Sequence, residues 1–167
     1  MSRNLTPMQA NGSALQRELK QKKRFVTQAE EAAVALLRTA DVLRGDLERT
    51  LTASAGVTLQ QYNVLRILRG SHPEPLPTLE IADRMIERAP GITRLLDRLE
   101  AAKLVRRERC REDRRSVLCH ITPAGLATLA RADEPVRATE RRRAGRLAAT
   151  ELASLLDVLA RLREDGA

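Results

Sequence analysis

The residues best suited to chemistry in this chain are guanidinium groups, and they crowd into one region. Thr93 and Arg94 stand together near the start of a helical pattern, and Arg106, Arg107, Arg109, Arg111, Arg114 and Arg115 follow. Between Lys103 and Arg115 seven basic residues face three acidic ones, so half of the formal excess of +8 lies in this stretch. Arginine offers a rigid fork of N–H donors that keeps its charge at any physiological pH, which suits phosphate oxygens and base edges. Nothing for bond making accompanies it. His72 and His120, and Cys110 and Cys119, share no metal-ligand spacing, and neither a phosphate-binding glycine loop nor a nucleophile with a base is present. The expected chemistry is recognition of a polyanion, with no catalytic residue, no metal and no cofactor.

Composition narrows the polyanion. The pI of about 10.6 is an electrostatic footprint expected of a nucleic-acid binder. One Phe, one Tyr and no Trp supply almost no platforms for stacking the bases of single-stranded RNA. The basic residues are not set opposite a broad apolar face with aromatic anchors, which argues against a membrane surface. Duplex DNA remains the leading partner. A non-specific or architectural nucleic-acid-binding protein, a basic face for an acidic protein, and a basic chain with no such partner are the alternatives. No apolar run is long enough to span a bilayer and no signal-peptide h-region opens the chain, so the expected location is cytoplasmic, with reduced thiols.

The elements that must position these groups are mostly helical. At 167 residues the chain has the length of about one domain with appendages, and a core short of aromatics but rich in Leu and Ala favours helices. Residues 1–27 read as an N-terminal basic arm, helix-favouring from Ala14 to Arg24. Gln28 to Thr52 carries an apolar stripe through Leu36, Leu37, Leu43, Leu47 and Leu51, ending near Gly56. Thr58 and Gln61 form a capping-box pattern for the next helix, with Val57 set to staple against Tyr62 and an end at Gly70. The prolines of Ser71 to Pro77 predict a loop.

Thr78 to Met85 reads as a short helix with Leu79, Ile81, Ala82 and Met85 inward. Pro90 is expected in the first turn of the following one, a recognition helix spanning 90–102. Ile92, Leu95, Leu96 and Leu99 stripe its underside, leaving Gly91, Thr93, Arg94, Asp97 and Arg98 pointing outward. Two helices joined by a short turn, the second bearing outward polar residues near its start, match helix-turn-helix geometry. Leu104 to Cys110 and Ser116 to Ile121 predict a hairpin with Arg111 to Arg115 at its tip, where arginine suits the negative potential of a narrow minor groove. Thr122 and Pro123 open another helix, with a kink or break expected near Asp133 because of Pro135. The triplet Arg141 to Arg143 reads as a solvated face. Thr150 is expected to cap a last helix with a stripe of Leu152, Leu155, Leu156, Leu159 and Leu162. Amphipathic helices at both chain ends suggest a helical dimerisation region, 28–56 with 123–167, around a DNA-binding region at 57–122.

Taken together, Ile92-Thr-Arg-Leu-Leu-Asp-Arg-Leu-Glu100, Leu104-Val-Arg-Arg, Asp113-Arg-Arg-Ser and Ile121-Thr-Pro-Ala-Gly125 resemble, in order and spacing, the MarR family of bacterial transcription regulators. The similarity runs from about Gln28 to Arg163. It implies a mainly α fold with a small β wing, a winged helix-turn-helix with N- and C-terminal dimerisation helices, acting as a homodimer and most often as a repressor. By that resemblance Thr93 and Arg94 read the major groove, with Pro90, Gly91 and Arg98 as secondary contacts. Arg115 enters the minor groove, Asp113 holds it in position, and Arg114 meets phosphate. Two departures stand out: Ile86 to Ala89 replace a connector that often has glycine and a serine cap, and Lys103 replaces a usual glycine, which requires a left-handed or adjusted backbone.

Relatives of this type often release DNA when a small phenolic molecule or an oxidant arrives. The resemblance places such a ligand near Leu37, Asp41, Tyr62 and Arg66. The reactive thiol of oxidant sensors is missing from the first long helix. Cys110, flanked by Arg109 and Arg111, and Cys119 read as inert strand residues, with redox sensing as the alternative.

Overall fold

The computed structural model describes residues 13–87, 91–110 and 116–164. The chain divides into two compact units, Met1–Leu43 and Arg44–Ala167. In the first, helix α1 (Ala14–Glu18) is capped by Ser13, whose side chain accepts from the Gln16 N–H at 3.1 Å. The long helix α2 (Gln28–Ala55) starts in this unit. Arg38 on α2 binds Glu18 at 2.9 Å and Asp41 at 3.3 Å. The arm expected to be helix-favouring as far as Arg24 thus forms one short helix.

The second unit holds the core. α2 passes Gly45 without interruption and ends at Ala55, three residues beyond the expected Thr52. Gly56 stops it, with φ 68 and its N–H donating to the Leu51 carbonyl at 3.0 Å. Helix α3 (Leu59–Ser71) has the predicted capping box: the Thr58 hydroxyl accepts from the Gln61 N–H at 3.2 Å, and the Gln61 side chain accepts from the Thr58 N–H at 3.0 Å. Val57 and Tyr62 both join the core, together with Val64, Leu65 and Leu68.

The segment read as a loop contains a short strand. β1 (Leu76–Pro77) pairs antiparallel with β3 (Val117–Ile121), which also pairs with β2 (Val105–Arg109), giving the order β1-β3-β2. Pro77 is tolerated because β1 lies at the sheet edge, where a missing N–H breaks no ladder. Leu76 is buried opposite Cys119, and this burial pulls the strand onto the sheet.

Helix α4 (Thr78–Asp83) is shorter than the expected Thr78 to Met85. Leu79 is 78% exposed, not inward, while Ile81 is fully buried. Positions two apart lie on nearly opposite sides of a helix, so only one of the pair can face the core. The Thr78 hydroxyl, donating to the Val117 carbonyl at 3.2 Å, sets the rotation that favours Ile81.

Helix α6 (Pro123–Ala144) starts as the sequence suggests: the Thr122 hydroxyl accepts from the Gly125 N–H at 3.0 Å and Pro123 occupies the first turn. Pro135 does not break it. One backbone donor is lost there, but Ala132, Val136 and Thr139, all buried around it, keep the helix seated. Arg69 on α3 grips both carboxylate oxygens of Asp133, at 3.1 and 2.8 Å.

The basic triplet near the end of α6 is occupied rather than merely solvated. Arg143 Nε lies 2.6 Å and Arg142 Nη2 3.2 Å from Oδ2 of Asp46, a carboxylate buried on α2 that also pairs with Arg49. The Arg143 hydrogen bond holds the Asp46 carboxyl below its ordinary range, against the opposing effect of burial. Arg141 pairs with Glu134 at 2.5 Å.

The last helix, α7 (Ala149–Arg161), starts ahead of the expected cap, Thr150. Ala148 is the N-cap, its N–H donating to the Glu151 carboxylate at 2.8 Å, so the acidic side chain takes the capping role. The apolar stripe on α7 is open over much of its length: Leu155, Leu156 and Val158, with Leu162 at the C-cap, are exposed, while Leu152 and Leu159 are half-buried.

Candidate nucleic-acid interface

Helix α5 (Ile92–Ala101) is the centre of the site. Leu95, Leu96 and Leu99 are buried and Ile92 packs beside them, so the predicted underside faces the core. That seating turns Thr93, Arg94, Asp97 and Arg98 outward, all exposed. The helix starts two residues later than the expected position 90, with Gly91 as N-cap at φ 109, a backbone conformation that glycine adopts without steric cost. Gly91 therefore turns the chain into α5 and keeps the helix N-terminus open, without a capping side chain. Pro90, Arg88 and Ala89 lie outside the described residues, as do the wing residues Arg111, Glu112, Asp113, Arg114 and Arg115. The described part of the connector has Ile86 exposed and Glu87 paired with Arg44 of α2 at 2.6 Å.

From α5 the chain enters the wing through Lys103, which adopts φ 59, the left-handed conformation expected where relatives have glycine. Its N–H donates to the Glu100 carbonyl at 2.8 Å, and its carbonyl accepts from the Thr122 hydroxyl at 2.8 Å. Gly125 lets α6 approach the same corner, for a Cβ there would sit 2.4 Å from the Leu104 carbonyl oxygen. This contact gives a packing reason for the glycine that closes the Ile121 to Gly125 motif.

β2 and β3 form the stem of the hairpin, with Val105 opposite Ile121 and Arg109 opposite Val117. The Cys110 N–H donates to the Ser116 carbonyl at 3.0 Å, carrying the pairing to the base of the tip. The register puts Cys119 opposite Arg107, three residues before Cys110, and fully buried. Burial pushes the Cys119 thiol up, away from the reactive thiolate. On the other strand face Glu108 accepts from Arg106 and lies 3.0 Å from His120 Nε2. His120 is thus part of a strand-surface pairing.

A feature missed by sequence reasoning joins α5 to the wing. Arg107 on β2 reaches back to α5, with Nη2 2.6 Å from Asp97 Oδ1 and 2.6 Å from Glu100 Oε2, and Nε 2.9 Å from the latter. The Arg107 N–H also donates to Glu100 Oε1 at 3.0 Å. The Arg107 hydrogen bonds hold the Glu100 carboxyl below its ordinary value, and Glu100 in turn raises Arg107. The available signal was the pair of carboxylates three residues apart on α5, set against an odd-numbered arginine on the neighbouring strand. Among the described residues, neither Arg94 nor Arg98 makes an ion pair. The site therefore keeps free guanidinium groups outward and ties its acidic groups down.

The other residues of interest are placed as follows. Tyr62 is buried on α3, with the Arg66 guanidinium 5.8 Å from its ring centroid. Burial raises the Tyr62 phenol. Leu37 and Asp41 belong to the first unit, Leu37 exposed and Asp41 paired with Arg38.

Residues 55–116, the span from the end of α2 through the first half of the wing, match the model of the MarR family. A MarR transcription factor from Planctomyces limnophilus is 44% identical, with 82% of this chain and 98% of that one covered and a TM-score of 0.62. The chain belongs to the MarR family. A Thauera aromatica protein assigned as a transcriptional regulatory protein for the hcr operon is 30% identical over 118 residues, covering 70% of each chain. A MarR family transcriptional regulator from Streptomyces coelicolor, solved in complex with DNA, is 26% identical, with a TM-score of 0.74 and coverage of 85% of this chain and 90% of that one. This MarR protein is a transcription regulator with a winged helix fold. No helix among its described residues is long and apolar enough to cross a membrane, and among them no group of His, Cys, Asp and Glu is arranged to hold a metal ion.

Proposed function

We propose that this MarR protein is a dimeric, sequence-specific repressor that acts in the cytoplasm on a pseudo-palindromic duplex operator. The observation that carries the proposal is the outer face of α5, where Thr93, Arg94 and Arg98 are exposed and the two arginines are unpaired among the described residues. A helix of this kind enters the major groove and presents its first turns to base edges. Thr93 and Arg94 are assigned the base contacts, with Pro90, Gly91 and Arg98 beside them. Arg115 is assigned to the minor groove, Asp113 to holding it, and Arg114 to phosphate. The Streptomyces coelicolor complex supports the partner, because that regulator of the same family was solved with DNA.

The open apolar face of α7 supports the dimer. Three large side chains exposed in one helix, with a fourth at its C-cap, are covered most economically by the same helices of a second copy, and two copies need two half-sites. Residues 28–56 and 123–167 are the proposed dimerisation region. A small phenolic molecule is the proposed releasing ligand, with Tyr62 and Arg66, paired across 5.8 Å, assigned to hold it.

The reading surface is tested by Arg94→Ala and Arg115→Ala, alone and together, on the duplex upstream of the gene. Loss of one bidentate base contact costs about 1–3 kcal/mol and relaxes specificity at that position. Unchanged operator affinity in the double variant would remove the assignment. Non-specific binding with equal affinity for unrelated duplexes would favour the architectural alternative.

A further inference from the structure

The Arg107 contacts have a consequence for DNA recognition, which rests on α5 being the reading helix. Asp97 lies three residues after Arg94 and next to Arg98 on the outer face of α5. An acid and a base three apart on a helix are neighbours and pair readily. Left alone, the Asp97 carboxylate would draw Arg94 onto itself and would also confront the phosphates with a negative charge. In the structure Asp97 pairs with neither Arg94 nor Arg98; Arg107 Nη2 takes its Oδ1 at 2.6 Å and sets a positive charge against it. The Arg107 guanidinium is itself held from the far side by Glu100, through Nε at 2.9 Å and Nη2 at 2.6 Å, and its backbone N–H donates to the same carboxylate at 3.0 Å. With 22% of its side chain exposed, Arg107 is the least accessible member of the cluster, against 53% for Asp97 and 39% for Glu100.

We infer that Arg107 is a positioning residue for DNA recognition: by capturing Asp97 it keeps Arg94 and Arg98 available to the duplex. Arg107 does not touch the DNA in this role. A phosphate contact made by one side chain contributes a salt slope of about 0.9, which at 0.1 M salt corresponds to about a tenfold factor in affinity. Releasing Asp97 onto one of the two arginines removes a factor of that size.

The test is a cycle of variants in the full chain, titrated with the duplex upstream of the gene over a range of salt. Arg107→Met is expected to weaken binding about tenfold at 0.1 M salt and to lower the salt slope by about one. Adding Asp97→Asn to Arg107→Met is expected to restore affinity to within about threefold of the parent and to recover the slope. Asp97→Asn is also made in the parent. A residue that merely braced the wing would give the same gain from Asp97→Asn in both backgrounds, through loss of one negative charge facing the phosphates, and an equal gain overturns the inference. Capture of Asp97 by Arg107 predicts a gain several-fold larger in Arg107→Met. Arg107→Lys, which keeps a cation near Asp97 without the fork onto Glu100, separates the two roles and guards against a poorly folded Arg107→Met. It is expected to bind within about threefold of the parent, whatever its thermal midpoint. The inference is overturned if Arg107→Met binds like the parent, if Asp97→Asn fails to rescue it, or if Arg107→Lys binds as weakly as Arg107→Met. Arg94→Ala run alongside distinguishes the two levels: if it leaves binding unchanged, the assignment of α5 as the reading helix fails; if it weakens binding while the cycle shows no rescue, only the role of Arg107 fails.

Discussion

Replacing Gly125 with alanine should destabilise the protein even though alanine is the better helix former. Gly125 is buried in the first turn of α6, where a Cβ would lie 2.4 Å from the Leu104 carbonyl oxygen and 2.7 Å from Cγ1 of Ile121. Ordinary contact begins near 3.4 Å, so the Leu104 oxygen and α6 must separate by a full ångström. That oxygen cannot retreat freely. It accepts from the Thr122 N–H at 3.1 Å and from the Thr122 hydroxyl at 3.1 Å, and the same hydroxyl caps α6. Overpacking of a rigid neighbour costs about 1–3 kcal/mol, and the propensity gain of alanine over glycine returns at most about 1 kcal/mol. The net loss is about 1–2 kcal/mol. For a chain of this size 1 kcal/mol shifts the midpoint by about 2–4 °C, so Gly125→Ala should melt about 2–8 °C below the parent at equal protein concentration. Circular dichroism melts and urea titrations would measure it. A variant as stable as the parent would show that α6 and the start of β2 are not packed as described.

Two further substitutions probe other parts of the fold. Lys103→Gly should stabilise by about 0.5–1 kcal/mol, since a left-handed non-glycine residue costs about 1–2 kcal/mol and glycine gives part of that back through greater unfolded-state freedom; a loss of stability in urea titrations would contradict the strained corner. Asp46→Asn should lower the melting midpoint by leaving Arg142, Arg143 and Arg49 without their shared carboxylate. Because the folded carboxyl is held below its ordinary value, that stabilisation is complete above about pH 4 and is lost as pH falls through the depressed folded value. The difference between parent and Asp46→Asn should therefore be constant from neutral pH down to about pH 5 and shrink below about pH 4, in melts recorded across that range; a difference that grows on acidification would be inconsistent with the ion-paired carboxylate.

The features legible in the sequence are those decided within a few residues. The capping box at Thr58, the cap at Thr122, the stop at Gly56 and the stripe under α5 all follow from local hydrogen bonding or from a period of 3.6. Lys103 was legible only through the family resemblance, whose usual glycine marks the corner between α5 and β2 as left-handed. The outward set Thr93, Arg94 and Arg98 was readable because a strongly buried stripe fixes what faces away from it. Features set by partners far along the chain were not readable. The rotation of α4, which exposes Leu79, depends on Thr78 meeting Val117, and the β1 strand depends on β3 some forty residues later. The basic triplet at 141–143 looked solvated because Asp46, nearly a hundred residues earlier, gave no sign of being its counter-ion. The Arg107 contacts escaped for a related reason: β2 and α5 are close in sequence, but their angle is set by the packing of Val105 and Leu99 into one core.

The central claim is that two copies of the α5 and wing surface read duplex DNA. Its most direct test is footprinting and salt-dependent titration of the protein on the DNA upstream of its gene, with the single strand of the same sequence as competitor. The expected result is protection of two half-sites centred about one helical turn apart. Affinity for the duplex should exceed that for the single strand and fall steeply with salt, and Arg94→Ala should lose it. Equal binding of single-stranded and duplex DNA, or protection with no two-fold pattern that survives Arg94→Ala, would contradict it.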